Sequence, residues 1–228
     1  MTETIIHSAF FGMSLTVGAF VLGQWVQKKT GWLLANPLIL ASAAIIAVIL
    51  LFDIPYDAYE RGGSIIQMML GPVTALLALG IYNQKDVLKQ YFLPVLTGCL
   101  AGSLTSILSV LGLCRLFGLD QAVTAAMLPK SCTTPIALSI ANSRGGLAAI
   151  AAFAVVVTGV TGAMGAPLFA KWLGIRDPIA QGLAIGTCSH ALGTTRAREI
   201  GELQGAMSSI AIGVCGLISV ILALFIPV

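Results

Sequence analysis

The chain has 228 residues, of which 57% are hydrophobic and only 9% are charged, and its mean hydropathy is +0.97. A soluble domain carries about 25% charged residues, so this composition cannot cover a water-facing surface and indicates an integral membrane protein. The net charge of +3 is small and dispersed, which argues against a nucleic-acid partner.

The apolar stretches predict the membrane segments. A helix that spans a bilayer needs about 20 mostly apolar residues. Continuous stretches of about this length occupy 5–27, 37–52, 91–114, 147–170 and 206–227, and three interrupted stretches occupy 64–82, 121–143 and 179–198. The sequence therefore predicts an all-α membrane protein with one domain, 1–228, and about eight membrane-embedded segments, two or three of them broken.

The interruptions share one chemistry. The first contains Gly71 and Pro72, the second reads LPKSCTTP, and the third reads GTCSHALGTTRAR. Proline removes an amide donor and glycine loosens a helix, so each break frees backbone polar groups. Such groups survive at membrane depth only inside protein or against a water-filled cavity. We therefore expect the breaks to face one another or a polar cavity.

Lys130 lies in the middle of the second broken segment. A charge at the bilayer centre costs roughly 2.5–3.5 kcal/mol and normally has a partner. No apolar segment has a carboxylate at its centre, so the expected partner is a bound anion. The alternative is that Lys130 extends its ammonium group to the interface.

Helix-start signals flank both breaks. Thr134 is a candidate cap and Pro135 suits a first helical turn, while Thr194 and Thr195 follow Gly193. Helix N-termini attract anions, which predicts a carboxylate site at Lys130, Ser131, Thr133, Thr134, Ser189, His190, Thr194, Thr195 and Arg196. The alternatives are that the hydroxyls satisfy freed backbone groups, that His190 is a packing residue and that Arg196 is an interfacial anchor.

Two further patterns concern packing. The stretch that begins at Thr133 weakly resembles the one that begins at Thr194, since each has a threonine pair, a polar turn and an alanine-rich helix. This predicts an internal repeat of two broken-helix units, with chance similarity as the alternative. Gly98 and Gly102 form a GxxxG pair, which is typical of close helix packing or of a homo-oligomer.

Lysine and arginine predict the orientation. Eight crossings would place seven cations on the cytoplasmic side (Lys28, Lys29, Lys85, Lys89, Arg144, Arg196 and Arg198) and four outside (Arg61, Arg115, Lys171 and Arg176). Both termini would then be outside, although one re-entrant hairpin would change this parity.

Other functions have little support in the sequence. The five cysteines form no CxxC pair, and with only two histidines we expect neither a metal site nor a cofactor. No Walker motif is present, so we do not expect ATP to drive the protein directly. An intramembrane hydrolase would need Ser189 with His190, or Ser131 with Lys130, yet adjacent residues rarely present a nucleophile and a base to each other. We therefore do not expect an enzyme.

The segments LPKSCTTPIAL, GLAIGTCSHALGTTRARE and NPLIL followed by YDAYERGG resemble the LrgB/CidB family from about Asn36 to the C-terminus. That family includes bacterial antiholin-like proteins and the LrgB-like half of the plastidial glycolate/glycerate transporter. Cys132 and Thr195 stand where family patterns usually have Val and Ala, and Val73 stands where they have Ala.

The resemblance implies a multi-pass protein of the bacterial cell membrane that works beside a smaller LrgA/CidA-like membrane partner. It implies either a carrier or channel for small organic anions such as glycolate, glycerate or pyruvate, or a holin/antiholin-like regulator of murein hydrolases without transport of its own. The charged, broken segments favour the carrier, because a holin has no need of them. His190 favours proton coupling, since its ordinary pKa of about 6.5 lies in the physiological range.

Overall fold

The computed structural model describes residues 6–31 and 35–226, except the side chain of residue 77. Residues 5 and 227, at the outer limits of the first and last predicted segments, lie outside the described residues. The described residues form helices α1 (Ala9–Thr30), α2 (Pro37–Leu51), α3 (Tyr56–Gln67), α4 (Leu70–Asn83), α5 (Lys85–Gln90), α6 (Phe92–Leu116), α7 (Gln121–Met127), α8 (Thr134–Ser143), α9 (Ala148–Trp172), α10 (Pro178–Ile200) and α11 (Glu202–Phe225).

Five helical stretches are long and apolar enough to cross a membrane. They are α1, the continuous run of α3 and α4 (Tyr56–Asn83), α6, α9 and α11, while α2 is apolar but has only 15 residues. This confirms the expected all-helical fold and a multi-pass membrane protein.

The contacts divide the chain into two compact units, Met1–Val73 and Thr74–Val228; the expectation of a single domain stays a prediction. In the first unit, Ala19 of α1 packs against Ala41 and Ile45 of α2. The hydroxyl groups of Thr16 and Tyr59 lie 3.1 Å apart and join α1 to α3.

The break predicted in 64–82 lies earlier than the sequence suggested. The helix is interrupted at Met68 and Met69, whereas Gly71 and Pro72 lie in the first turn of α4. The prediction at Gly71 and Pro72 was wrong because proline is tolerated in a first helical turn, where its missing amide hydrogen has no intrahelical partner to lose.

In the second unit, α7 and α8 form a hairpin, hairpin A, with its tip at 128–133. Leu128 packs beside Leu222 and Ile226, near the end of α11. Ile136 lies next to Gly216, deeper along α11, and Arg144 then donates to the carbonyl oxygens of Ala223 and Ile226. Hairpin A therefore begins and finishes at the same end of the second unit, the end that holds Ile226. This end is called the closed end.

Helix α10 is a second hairpin, hairpin B, because its direction reverses at His190, the one non-helical residue inside it. Before His190, Gly182 packs against Gln204 and Gly186 packs against Ser208 of α11. After it, the hydroxyl of Thr194 lies 2.7 Å from that of Ser208, and Arg198 packs against Gly205. The two halves of α10 thus run in opposite directions along the same part of α11.

Hairpin B enters from the other end of the second unit, called the open end. Ile200 lines one cavity together with Arg176 and Gln181, so the start and the finish of hairpin B lie together. Tyr91 and Leu173 line a neighbouring cavity, which places the start of α6 and the end of α9 at the open end too. The two hairpins are therefore inserted from opposite ends.

This arrangement corrects the predicted distribution of charge. Lys171 and Arg176 lie at the open end with Arg198, and Arg144 lies at the closed end with Arg115. The prediction had separated Lys171 and Arg176 from Arg198. It was wrong because each broken segment returns to the end from which it came. Hairpin A keeps Arg144 at the end that holds Arg115, and hairpin B keeps Arg198 at the end that holds Lys171 and Arg176.

Candidate functional site

The tips of the two hairpins meet at Val155, in the first half of α9. Cys132, in the tip of hairpin A, packs against Val155 in one buried cluster. In hairpin B, the Nε2 atom of His190 lies 3.0 Å from the carbonyl oxygen of Val155. The second and third of the three breaks that the sequence singled out therefore lie on one turn of α9, as predicted for these two.

A cavity of about 1250 Å³ leads from the open end to these tips. Its lining extends from Pro94 to Ser106 on α6 and from Leu173 back to Thr158 on α9. At about 1.5 Å per residue these stretches measure roughly 20 Å. The cavity therefore reaches about two-thirds of the way across a hydrocarbon core of about 30 Å.

Lys130 lies at the deep end of this cavity of about 1250 Å³. The lining there consists of Ser106, Lys130, Ser131, Thr158, Thr187 and Cys188. The Lys130 ammonium lies 3.4 Å from the Ser131 hydroxyl, which lies 2.8 Å from that of Ser106. Among the described residues no carboxylate lies within ion-pair distance of Lys130. The deep end therefore carries an uncompensated positive charge among hydroxyl groups, within otherwise apolar walls.

Two helix N-termini also lie at the tips. Helix α8 begins there with Thr133 as its cap, one residue earlier than expected, and Pro135 is in the first turn. The Thr133 hydroxyl is buried and has no hydrogen-bond partner among the described residues. The second half of α10 begins just after His190, not at Thr194 and Thr195 as predicted, because the reversal occurs at His190, whose φ is +40°.

The remaining predicted residues of hairpin B do not line the cavity. The buried Ser189 hydroxyl donates to the Ile185 carbonyl at 2.6 Å, and Thr194 bonds to the His190 carbonyl and to Ser208. Thr195 is exposed and donates to the Ala191 carbonyl. In hairpin A, the predicted site residue Thr134 is half-buried in the first turn of α8.

Arg196 lies away from the tips. Its guanidinium forms an ion pair with Glu199, one turn along the same helix, and its side chain is 37% exposed. A surface ion pair near the end of hairpin B is the arrangement expected of an interfacial anchor. The cavity instead brings Lys130 and Ser131 together with Thr187 and Cys188, and Arg196 does not line it.

Two glycines of α9 make room for the tip of hairpin B. A Cβ atom on Gly159 would lie 2.8 Å from Nε2 of His190, and one on Gly162 would lie 2.5 Å from Cβ of Ser189. Side chains at these positions would push the tip away from α9. The small residues of TGVTGAMGAP form a pattern that is typical of close helix packing, and the structure shows that Gly159 and Gly162 in this stretch pack against the tip of hairpin B.

Ser106, Thr158, Thr187 and Cys188 were not predicted as site residues from the sequence. Ser106 and Thr158 are small polar residues in apolar helices, and Thr187 and Cys188 precede the predicted residues of the third break. Only the packing of α6 and α9 around hairpin B shows that these residues face one space. Gly98 and Gly102 take part in this packing, since they face Leu183 and Thr187 of α10 within the same chain. No cluster of three metal-binding side chains occurs in residues 6–31 and 35–226.

Comparisons with known proteins agree over nearly the whole chain. The LrgB-like family matches residues 16–228. The chain is 40% identical to the antiholin-like protein LrgB of Bacillus subtilis (strain 168), over 94% of this chain and 93% of that protein. It is 38% identical to the antiholin-like protein LrgB of Bacillus cereus (strain B4264), over 96% of each. No solved structure matches the chain. The chain belongs to the LrgB-like family.

Proposed function

We propose that the chain is a carrier for small organic anions, with Lys130 at its binding site. The observation that carries the proposal is the position of Lys130, which lies without a carboxylate partner among the described residues at the deep end of a cavity. A bound carboxylate supplies the missing negative charge. An ammonium–carboxylate pair in a site of low dielectric is far stronger than the same pair in water.

The helix ends at the tips support this proposal. Helix α8 and the second half of α10 both begin at the tips, so two positive dipole ends lie near Lys130. Broken helices whose N-termini point at anionic groups are a known way to build a transporter site near the bilayer midplane. Helix α7 and the first half of α10 end at the tips, and their carbonyl oxygens suit a proton that travels with the anion.

The opposite insertion of the hairpins favours an internal repeat of inverted topology. In this proposal the eight membrane-embedded segments are six crossings and two hairpins that do not cross. Crossings at α1 and α2 belong to the first unit and crossings at α6, α9 and α11 to the second, while the run of α3 and α4 extends across the boundary at Val73. Alternating access then consists of movement of one hairpin and its supporting helix against the other.

The charge distribution within the second unit orients the site. The open end carries six cations (Lys85, Lys89, Lys171, Arg176, Arg196 and Arg198), and the closed end carries two (Arg115 and Arg144). By the positive-inside rule the cavity that leads to Lys130, which this proposal makes the anion cavity, opens toward the cytoplasm of a bacterial cell membrane. The protein then takes its anion from the cytoplasm in this conformation.

A regulator of murein hydrolases without transport of its own is the second candidate. It is favoured by the names of the relatives from Bacillus subtilis and Bacillus cereus, which are antiholin-like proteins. Transport of organic acids accounts for such a role indirectly, through a change in acidity at the cell surface. On either account the protein acts as a membrane protein rather than as an enzyme, and an LrgA/CidA-like partner fits both.

Flux through reconstituted protein separates the two candidates. Purified full-length chain in proteoliposomes is supplied with radiolabelled glycolate or pyruvate, and Lys130→Ala is compared with Lys89→Ala. Lys89 is a suitable control because it is a cation of the second unit that does not line the anion cavity. A carrier gives flux that Lys130→Ala abolishes and that Lys89→Ala retains. Absence of flux above empty liposomes for a panel of small carboxylates supports the regulator.

A further inference from the structure

A second, smaller cavity at the open end contains two positive charges and no negative one. This cation cavity measures about 510 Å³ and is lined by Lys171 and Arg176. Its apolar walls come from α9, the following loop and both halves of hairpin B, through Pro167, Ala170, Ile175, Ile185 and Ile200. Among the described residues no aspartate or glutamate lines it.

A tight turn holds the two cations on the same cavity. Gly174 has a φ of +68°, which is readily adopted only by glycine, and it ends α9. The Ile175 amide then donates to the Ala170 carbonyl at 2.8 Å, while the Gln181 side chain donates to the Ile175 carbonyl at 2.7 Å. The backbone of the loop between Lys171 and Arg176 is therefore fixed from both sides, and it holds the bases of the two side chains at the same cavity.

Neither cation is neutralised within the described part of the chain. The ion pair found there joins Arg196 to Glu199. Asp177, the residue after Arg176, instead caps α10 by accepting from the Ala180 amide at 2.8 Å, and it lines the anion cavity. Lys171 and Arg176 thus present two uncompensated charges to one open cavity.

The surroundings of the cation cavity place it at a membrane interface. Lys171 is in the last turn of the 25-residue apolar helix α9. Next to it Trp172 is 79% exposed, and its ring lies edge-on to that of Phe169 with the centroids 6.4 Å apart. Exposed tryptophan beside basic residues at a helix end is typical of the level of the lipid headgroups.

We infer that the cation cavity binds the headgroup of one anionic phospholipid, with its phosphate between Lys171 and Arg176. A guanidinium can bind a phosphate through two parallel hydrogen bonds, and basic pockets between membrane helices suit such headgroups. The cavity is larger than a phosphate requires, and its apolar wall at Pro167, Ile185 and Ile200 accommodates the start of an acyl chain. This favours a lipid over a free phosphate, and the inference does not rest on anion transport.

The test measures thermal unfolding of the full-length chain in detergent by tryptophan fluorescence. Phosphatidylglycerol, phosphatidylcholine or soluble glycerol phosphate is added to wild type, to the double variant K171Q/R176Q and to the control K28Q/K29Q. Lys28 and Lys29 are a suitable control, because they are two exposed cations at the end of another membrane helix and line neither cavity.

The inference predicts that phosphatidylglycerol raises the Tm of wild type and of K28Q/K29Q, whereas phosphatidylcholine and glycerol phosphate do not. In K171Q/R176Q the Tm in phosphatidylcholine is unchanged, and binding of phosphatidylglycerol weakens roughly thirtyfold, the expected effect of two lost cations near a lipid phosphate. If the double variant does not fold, K171Q and R176Q singly each lose part of the shift.

Three results would overturn the inference. One is the same shift with phosphatidylcholine as with phosphatidylglycerol, and another is an undiminished phosphatidylglycerol shift in K171Q/R176Q. The third is equal protection by soluble glycerol phosphate, which would make the cavity a site for free phosphates instead.

Discussion

The Nε2 atom of His190 lies 3.0 Å from the carbonyl oxygen of Val155, the residue of α9 on which Cys132 also packs. A carbonyl oxygen only accepts hydrogen bonds, so Nε2 of His190 carries a hydrogen and donates it. This bond fixes the reversal of hairpin B against α9, beside the tip of hairpin A. The deep end of the anion cavity exists because these two tips are held together.

The first prediction concerns Gly159, where an added methyl group would meet the His190 ring. Gly159→Ala should destabilise the protein by about 1–3 kcal/mol, the usual cost of overpacking a well-filled site. Gly112→Ala is the control, because a Cβ atom there meets nothing within 4 Å and alanine favours the helix by up to about 1 kcal/mol. Thermal unfolding of the two variants in detergent measures the difference. A Gly159→Ala variant as stable as Gly112→Ala would contradict the packing.

The second prediction concerns Arg144, which donates to the carbonyl oxygens of Ala223 and Ile226 and so caps α11 at the closed end. Arg144→Gln should cost about 1–3 kcal/mol, because it leaves those carbonyl groups without their donor. Arg115→Gln removes an exposed arginine from the same end and should change stability by less than about 0.5 kcal/mol. Equal melting temperatures for the two variants would show that the cap contributes nothing.

Parts of this arrangement follow from the sequence. Pro135 and the threonines before it predicted a helix start inside the second broken segment, and α8 begins there because these residues tolerate or cap a first turn. Lys130 stood out because a charge in an apolar segment is costly.

Other parts were beyond reach of a single sequence. The residues that interrupt a helix are of the same types whether the chain then continues across the membrane or turns back. The sequence therefore did not show that both segments are hairpins. Thr194 resembled a helix start, yet the reversal lies at His190, a residue type with no marked preference for it. Thr187 and Cys188 became part of the site only through packing against α6.

The third prediction concerns the side on which the anion cavity opens. Cys188 lines this cavity and is exposed, whereas Cys99, Cys114, Cys132 and Cys215 are buried. A membrane-impermeant maleimide should therefore label Cys188 in inside-out vesicles, and a small carboxylate should slow that labelling. Cys188→Ser should abolish the labelling. Faster labelling in right-side-out vesicles would reverse the proposed orientation.

The fourth prediction concerns coupling. A proton that enters at Nδ1 of His190 leaves the bond to Val155 in place and adds a positive charge two residues from Cys188, in the cavity wall. We therefore expect faster anion flux from an acidic compartment and no change when potassium replaces sodium. His190→Gln keeps a donor for Val155, and it should flatten the pH dependence more than it lowers the maximal rate. A pH profile that overlays the wild type would exclude His190 as the titrating group, and loss of flux without sodium would refute proton coupling.

The most direct measurement of the central claim is uptake of radiolabelled glycolate and pyruvate by proteoliposomes that contain wild type, Lys130→Arg or Lys130→Ala. If Lys130 binds the anion, wild type transports at least one of the two substrates, Lys130→Arg retains part of the flux because its charge is kept, and Lys130→Ala has none although it inserts and melts like wild type. Flux through Lys130→Ala equal to that of wild type would contradict the account.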